Sequence, residues 1–330
     1  MKNLKVLGLG LMVGLGVVLL GAGWGWAATL YVDPVSGPYT TIQAAVNAAV
    51  SGDEIVVKPG TYSAVDVNKL VYIRSEKGPE VTKIISTGEY GVLFEKLCSN
   101  STLTGFYIRG TSYGIYCLNA QNSNYCNNVV VKNNIIEGCG KHGIFLYAIN
   151  DCSQVHYWNI DNNVIAGNGQ NGIQYQATNL NCDGNVNYNI ARNNIIINNG
   201  QYGIALVNNW GDIGNGFYNN DIFNNVSGPS SGVAITVSDG NIFDSPQFVD
   251  VNTGNYMLQS SSTCINTGSA GSAFLDPDGT RNNMGVYGGP GSASFWPYPE
   301  GGPVITEMSV TPASVPQGGT ISIKATGSVR

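Results

Sequence analysis

The chain has 330 residues, a formal charge of −6, 11% charged residues, 44 glycines and two histidines. An acidic, Lys-poor surface excludes a basic nucleic-acid footprint. The two histidines, His142 and His156, lie on separate segments and no CxxC occurs, which speaks against a metal site. The polar surface is mostly amide and hydroxyl, which suits neutral ligands such as glycans.

Lys2 and Lys5 precede an apolar, Gly-rich run from Val6 to Ala22, and Gly25-Trp26-Ala27 forms a small-x-small site. Residues 1–27 are expected to be a secretory signal peptide cleaved after Ala27. The competing reading is an uncleaved membrane anchor, since the run is nearly long enough to span; its many glycines favour cleavage. Removing Lys2 and Lys5 takes the charge from −6 to −8. No later segment is apolar enough to cross a bilayer, so the mature chain is expected outside the cell or at its surface, without a membrane span.

Ile42, Ala45, Val46 and Ala49 have helical spacing, with Thr40 or Thr41 as N-cap and Gly52 as terminator. Residues 40–51 therefore read as a short amphipathic helix, within a cap at 39–51. A solenoid needs such a cap because its end exposes a core cross-section and strand edges. Glu54 to Lys58 and Leu70 to Arg74 read as the first strands, with a turn at Pro59-Gly60.

From about Val129 to Asn225 one phrase is written four times: NNIIEGCGKHGI, NNVIAGNGQNGI, NNIIINNGQYGI and a frayed NNDIFNNVSGPSSGVAI. Their second asparagines are Asn134, Asn163, Asn194 and Asn220, at intervals of 29, 31 and 26 residues. A degenerate copy, FYIRGTSYGI, starts at Phe106. Such a period signals a solenoid. Short Ile/Val runs cut by Asn and Gly, with no helical period, make it an all-β parallel β-helix with three short strands per coil. Ile108, Ile136, Ile165, Ile196 and Ile222 are expected to stack inward, as are Ile115, Ile144, Ile173, Ile204 and Val233. The second asparagines are expected to form an interior ladder. Gly114, Gly143, Gly172, Gly203 and Gly232 suit a positive φ or a close backbone approach. Ile135, Val164, Ile195, Ile197 and Phe223 fall on the outward side, where cover by a loop or the C-terminal segment is expected, the alternative being a contact patch.

The NN-I-x-N-x-G-x-x-GI phrase resembles the repeat of the right-handed β-helix proteins of the pectin-lyase-like superfamily. YTTIQAAVNAAVSGDEIVVKPGTY (Tyr39 to Tyr62) is similar to that family's opening coil, and SPQFVDVNTGNYMLQSSSTCINTGSAG (Ser245 to Gly271) to its C-terminal coil. The resemblance implies a β-helix domain over 28–299, with regular coils at about 66–240 and a C-terminal coil at 241–290, and a monomeric solenoid. It leaves activity open, because the superfamily holds lyases, hydrolases, epimerases and adhesins. From Glu300 the texture changes to a Pro/Gly linker and alternating strands, which resemble the first two strands of an immunoglobulin-like bacterial surface module. Residues 300–330 are expected to be the truncated start of such a module, since a sandwich needs ~100 residues.

Export permits disulfides, and seven cysteines leave at least one unpaired. Cys152 and Cys182 lie one coil apart, as do Cys98 and Cys126, and coils ~4.8 Å apart allow a bridge. Cys117 falls in the inward column of Leu146 and Leu206 and reads as an inert core residue.

Three constellations are candidates for chemistry. Lys132, Asp161 and Arg192 each lie two residues before a second asparagine and are expected to project outward as a charge column. Its functional reading is a lyase site, with the Asp161 pKa lowered by its flanking cations. Its plain reading is an ion-pair ladder. Asp151, Asp183 and Asp212, one per coil, are a Ca²⁺ candidate in a chain otherwise expected to need no cofactor, against a plain reading as turn chemistry. Pectate-lyase and polygalacturonase signatures are not found. Tyr113, Tyr116, His142, Phe145, Tyr147 and Tyr202 form an expected outward aromatic strip suited to sugars, against burial under loops. The expected function is a secreted or cell-surface β-helix that binds a polysaccharide or surface glycan through this strip. The alternative is a polysaccharide lyase or other carbohydrate-active enzyme acting on uronate polymers.

Overall fold

The computed structural model describes residues 27–119, 126–149, 154–177, 186–207, 214–297, 303–311, 320 and 322–329. The chain winds through three parallel sheets in turn. The first has eight strands, from Thr29–Val32 and Asp53–Val57 through Val130–Lys132, Asn159–Asp161 and Ile190–Arg192 to Gly216–Tyr218. The second has seven, from Gly60–Tyr62 to Asp221–Phe223, and the third seven, from Val65–Val67 to Gly228–Ser231. Every neighbour pair within these sheets is parallel, as in a β-helix. Right-handed crossovers are the rule for such connections.

The corners follow one grammar. From the coil that opens at Val130, a residue with positive φ stands before the interior corner residue. At the first-to-second sheet corner these are Asn133, Asn162, Asn193 and Asn219, at φ 52, 53, 58 and 52°. At the second-to-third corner they are Gly138, Gly167, Asn198 and Asn224. Asn and Gly recur there because their cost in the left-handed region is small. The next residue points inward, and the expected asparagine ladder is present. Asn134 donates its backbone N–H and its amide to Asn163 Oδ1 at 3.0 and 3.1 Å. Asn163 does the same to Asn194, Asn194 to Asn220, and Asn220 to Asn241. A second ladder, Asn168–Asn199–Asn225, lines the next corner. These amides satisfy backbone groups that the bends remove from the sheets.

Ile108, Ile136, Ile165, Ile196 and Ile222 pair in register and are buried. The other column differs at its end: Ile204 pairs with Ser230, not Val233, because the last coil shortens and Val233 only rests against the core. Gly114, Gly143, Gly172 and Gly203 serve close approach. A Cβ on Gly143 would stand 2.5 Å from Ile165 Cγ2 and 2.8 Å from the Gly172 carbonyl. Gly232 is out of that register and has φ 73°. Cys117 pairs with Leu146 in the buried interior.

The capping helix spans Ile42–Ala48, shorter than expected; Thr41 Oγ1 accepts from Ala44 N at 3.1 Å, and extended Ala49 ends it. Its Ile42, Ala45 and Val46 close the first coil's core. Cys98 and Cys126 are bonded, with Cα atoms 5.2 Å apart. Cys152 and Cys182 lie outside the described residues. Strands Pro303–Thr311 and Ser322–Val329 pair antiparallel, two strands and no sandwich among the described residues.

The outward isoleucines are covered by the chain itself. Ile135, Val164, Ile195 and Ile197 form a second core with Tyr256, Cys264, Met284, Val286, Tyr287 and Trp296 of the C-terminal segment. The left-handed asparagines fasten that segment. Asn133 Nδ2 donates to the Val286 and Gly288 carbonyls, and Asn162 Nδ2 to Asn282 Oδ1 and the Asn283 and Gly285 carbonyls. Asn193 Oδ1 accepts from Ser269 N and Oγ. In each Asn-Asn pair the first residue holds the outer segment and the second builds the inner ladder.

Candidate functional site

The charge column lies in register: Lys132 pairs with Asp161 and Asp161 with Arg192. Arg192 Nη2 donates to Asp161 Oδ2 at 3.0 Å, and Nε stands 3.0 Å from Oδ1 as an ion-pair contact without hydrogen-bond geometry. The C-terminal segment crosses the column, with the Arg192 guanidinium 4.6 Å from the Phe274 ring centre. The two side chains keep only 23% and 16% exposure. The expectation of a lowered Asp161 pKa is corrected: burial raises it, against the opposing pull of Arg192 and Lys132. Asp161 and Arg192 of the column form a largely covered ion pair that helps seat the C-terminal segment.

The aromatic strip is also corrected. Tyr116 and Phe145 do stack outside the third sheet, ring centres 5.3 Å apart, and Tyr113 lies 5.8 Å from His142 in a parallel stack. Yet Tyr113, Tyr116 and Phe145 are only 8%, 9% and 5% exposed, forming a satellite apolar cluster with Leu93. His142 is buried among them, and burial lowers its pKa to about 4. Rings on adjacent coils shield one another, so the strip is packing rather than an open platform. Tyr147 and Tyr202 are half-buried. Asp151, Asp183 and Asp212 lie outside the described residues.

The open aromatic pair lies elsewhere, and the sequence reading missed it. At the corner leading into the first sheet, the left-handed positions are Asn100, Asn128, Tyr157, Tyr188 and Gly214, at φ 67, 59, 60, 56 and 70°. The residues that follow them include the inward Trp158, Asn189 and Asn215, another ladder. Tyr157 and Tyr188 stack with centres 5.3 Å apart and planes 12° from parallel, and His156 meets both edge-on at 5.8 Å. They are 49% and 39% exposed. Bulky aromatics at positive φ are true outliers, and such strain concentrates at functional sites. The signal was present in the sequence: at the other two corners this position holds Asn or Gly.

A family model described as "Periplasmic copper-binding protein (NosD)" matches residues 28–257. The chain belongs to the NosD family. No curated protein matches it. Solved structures similar to it include the Agl-KA catalytic domain, at 20% identity over 57% of this chain and 39% of that one, TM-score 0.40. An alginate lyase from Paenibacillus sp. str. FPU-7 shares 16% identity over 66% and 74%, TM-score 0.36. The pectate lyase Pel9A shares 14% over 80% and 97%, TM-score 0.29.

Copper favours clustered thiolate, thioether and imidazole ligands. Among the described residues no group of three or more His, Cys, Asp and Glu side chains comes together. His142 Nδ1 already accepts from Asn171 N at 3.2 Å. Cys117, Cys139 and Cys264 are buried, and burial pushes the Cys139 thiol up to about 11 and the other two higher still. The described residues do not fit copper. Among them no helix is long and apolar enough to cross a membrane.

Proposed function

We propose that this NosD-family chain is an exported β-helix protein that binds carbohydrate without transforming it, through the Tyr157–Tyr188 corner. The observation that carries the reading is two half-exposed, stacked tyrosines held in the left-handed region at a position that elsewhere takes Asn or Gly. Their edges and hydroxyls give a sugar apolar area beside a polar tip. The periplasmic location in the family description supports export. The charge column gives a lyase reading little support, since its carboxylate is locked to Arg192 beneath the C-terminal segment.

The test is affinity electrophoresis of the purified protein through gels containing neutral, amino and uronate polysaccharides. The double variant Tyr157→Asn/Tyr188→Asn places at each corner the residue that Asn128 already supplies. Relief of backbone strain, of order 1–3 kcal/mol per site, offsets the lost ring contacts, so its melting temperature should stay level or rise while retardation disappears. Retardation that survives the double change would overturn the reading.

A further inference from the structure

A cavity of about 510 Å³ opens between the outer face of the second sheet and the C-terminal hairpin of residues 248–258. Its size falls within the range of small-molecule sites. Lys83, Tyr107 and Ile135 stand in one cross-strand row on its floor. Glu80 and Glu137 flank them, and Asn255 and Met257 come from the hairpin. It lies on a different part of the surface from the Tyr157–Tyr188 corner.

Each glutamate is anchored from behind. Tyr287 donates its hydroxyl to Glu80 Oε1 at 2.5 Å, and Tyr256 to Glu137 Oε1 at 2.6 Å. Both tyrosines belong to the second core, so the carboxylates are held by rigid supports. Tyr107 also faces Glu137; burial, followed by that carboxylate, pushes its hydroxyl up to about 12, leaving it a hydrogen-bond donor. A carboxylate offers about four acceptor sites, and the tyrosines use at most two on either glutamate. The cavity therefore has acceptors to spare. Lys83, whose Nζ stands 5.5 Å from the Tyr107 ring centre, is the one cation on its lining. On the lining two glutamates stand against this one lysine; Arg109, whose charge also reaches Tyr107, is a second cation beyond the lining.

We propose that this cleft binds an oligomer of an amino sugar, with separate ammonium groups on Glu80 and Glu137 and its hydroxyls against the hairpin amides. A uronate would bring a carboxylate to a wall of acceptors and is selected against. Lys83, over the Tyr107 ring, adds a positive charge to the cleft that weakens the cation's hold.

The test is calorimetric titration of the full chain at ~0.15 M salt, where long-range attraction to the acidic surface is screened. The probes are a glucosamine tetramer, its N-acetylated form, a galacturonate tetramer and spermine. The glucosamine tetramer should bind, with the N-acetylated form weaker and galacturonate silent. Spermine, lacking ring hydroxyls, should bind less tightly than the tetramer. Glu80→Gln/Glu137→Gln keeps acceptors for both tyrosines and should weaken glucosamine binding about tenfold or more, the value of charge-assisted bonds. Lys83→Ala should tighten it several-fold. Glu95→Gln, outside the cleft, should change nothing. Equal binding of galacturonate or the N-acetylated tetramer would overturn the proposal. So would spermine binding as tightly, an unchanged double variant, or an equal loss at Glu95→Gln. Lys83→Ala makes no such tyrosine bond and keeps the proposal testable if the double variant fails to fold. Tyr157→Asn/Tyr188→Asn should leave this titration intact, so the two sites fail separately.

Discussion

Replacing Asn163 by Ala tests the inner ladder at its centre. The Asn163 amide accepts Asn134 N at 3.0 Å and donates to the Val131 and Asp161 carbonyls at 2.9 and 3.1 Å. Ala strands the Asn134 N–H in a fully buried site, at about 1–3 kcal/mol, and each lost carbonyl bond adds about 0.5–1.5. The expected loss is about 2–6 kcal/mol. Asn224→Gly is the matched control. It keeps the positive φ of 53° and gives up one exposed bond, to Asn198 at 2.7 Å. Its cost should stay within about 1 kcal/mol. Urea unfolding followed by circular dichroism reads both midpoints at constant slope. An Asn163→Ala variant as stable as Asn224→Gly would refute the idea that the amides carry the corners.

Asn162→Gly preserves the backbone at φ 53° but deletes three donations to the C-terminal segment. Limited proteolysis should then cut within residues 245–297 sooner than in the parent, and an unchanged pattern would count against the fastening role. Reducing Cys98–Cys126, which closes 28 residues, should cost about 3–4 kcal/mol by loop entropy, read as a lower melting temperature with reductant. Burial is the first cause that raises Asp221 and Asp276 to about 7, against 3.8 unperturbed. These carboxyls bind protons more tightly when folded, so stability should fall as pH rises from about 4 to 7 and level off above. Asp221, which accepts from Cys264 Sγ at 3.2 Å, is the one to change: Asp221→Asn should flatten part of that slope, and an identical profile would reject the assignment.

The coils were legible because period and alternation are written in the residues. The offset of Ile136, Ile165, Ile196 and Ile222 from their asparagines places the inner column, and the Asn-Asn pairs mark one corner. The outward Ile135, Val164 and Ile195 even announce that a cover exists, though which residues fasten it depends on contacts more than 100 residues away, such as Asn162 with Asn282. The aromatic strip misled because alternation says only that Tyr116 and Phe145 face away from the core. It does not say that neighbouring rings bury one another. Tyr157 and Tyr188 were passed over because their importance lies in backbone conformation, visible only once the corner grammar is known. The cleft beside Glu80 and Glu137 exists only after the hairpin folds back, so no local pattern announces it.

The most direct measurement is a crystal structure of the protein soaked with the oligosaccharide that retards it most, collected beside Tyr157→Asn/Tyr188→Asn crystals under the same soak. A sugar ring within about 4 Å of both tyrosine side chains, absent from the double variant, is the predicted result. Sugar density in both crystals away from Tyr157 and Tyr188, with that corner bare, would contradict the account.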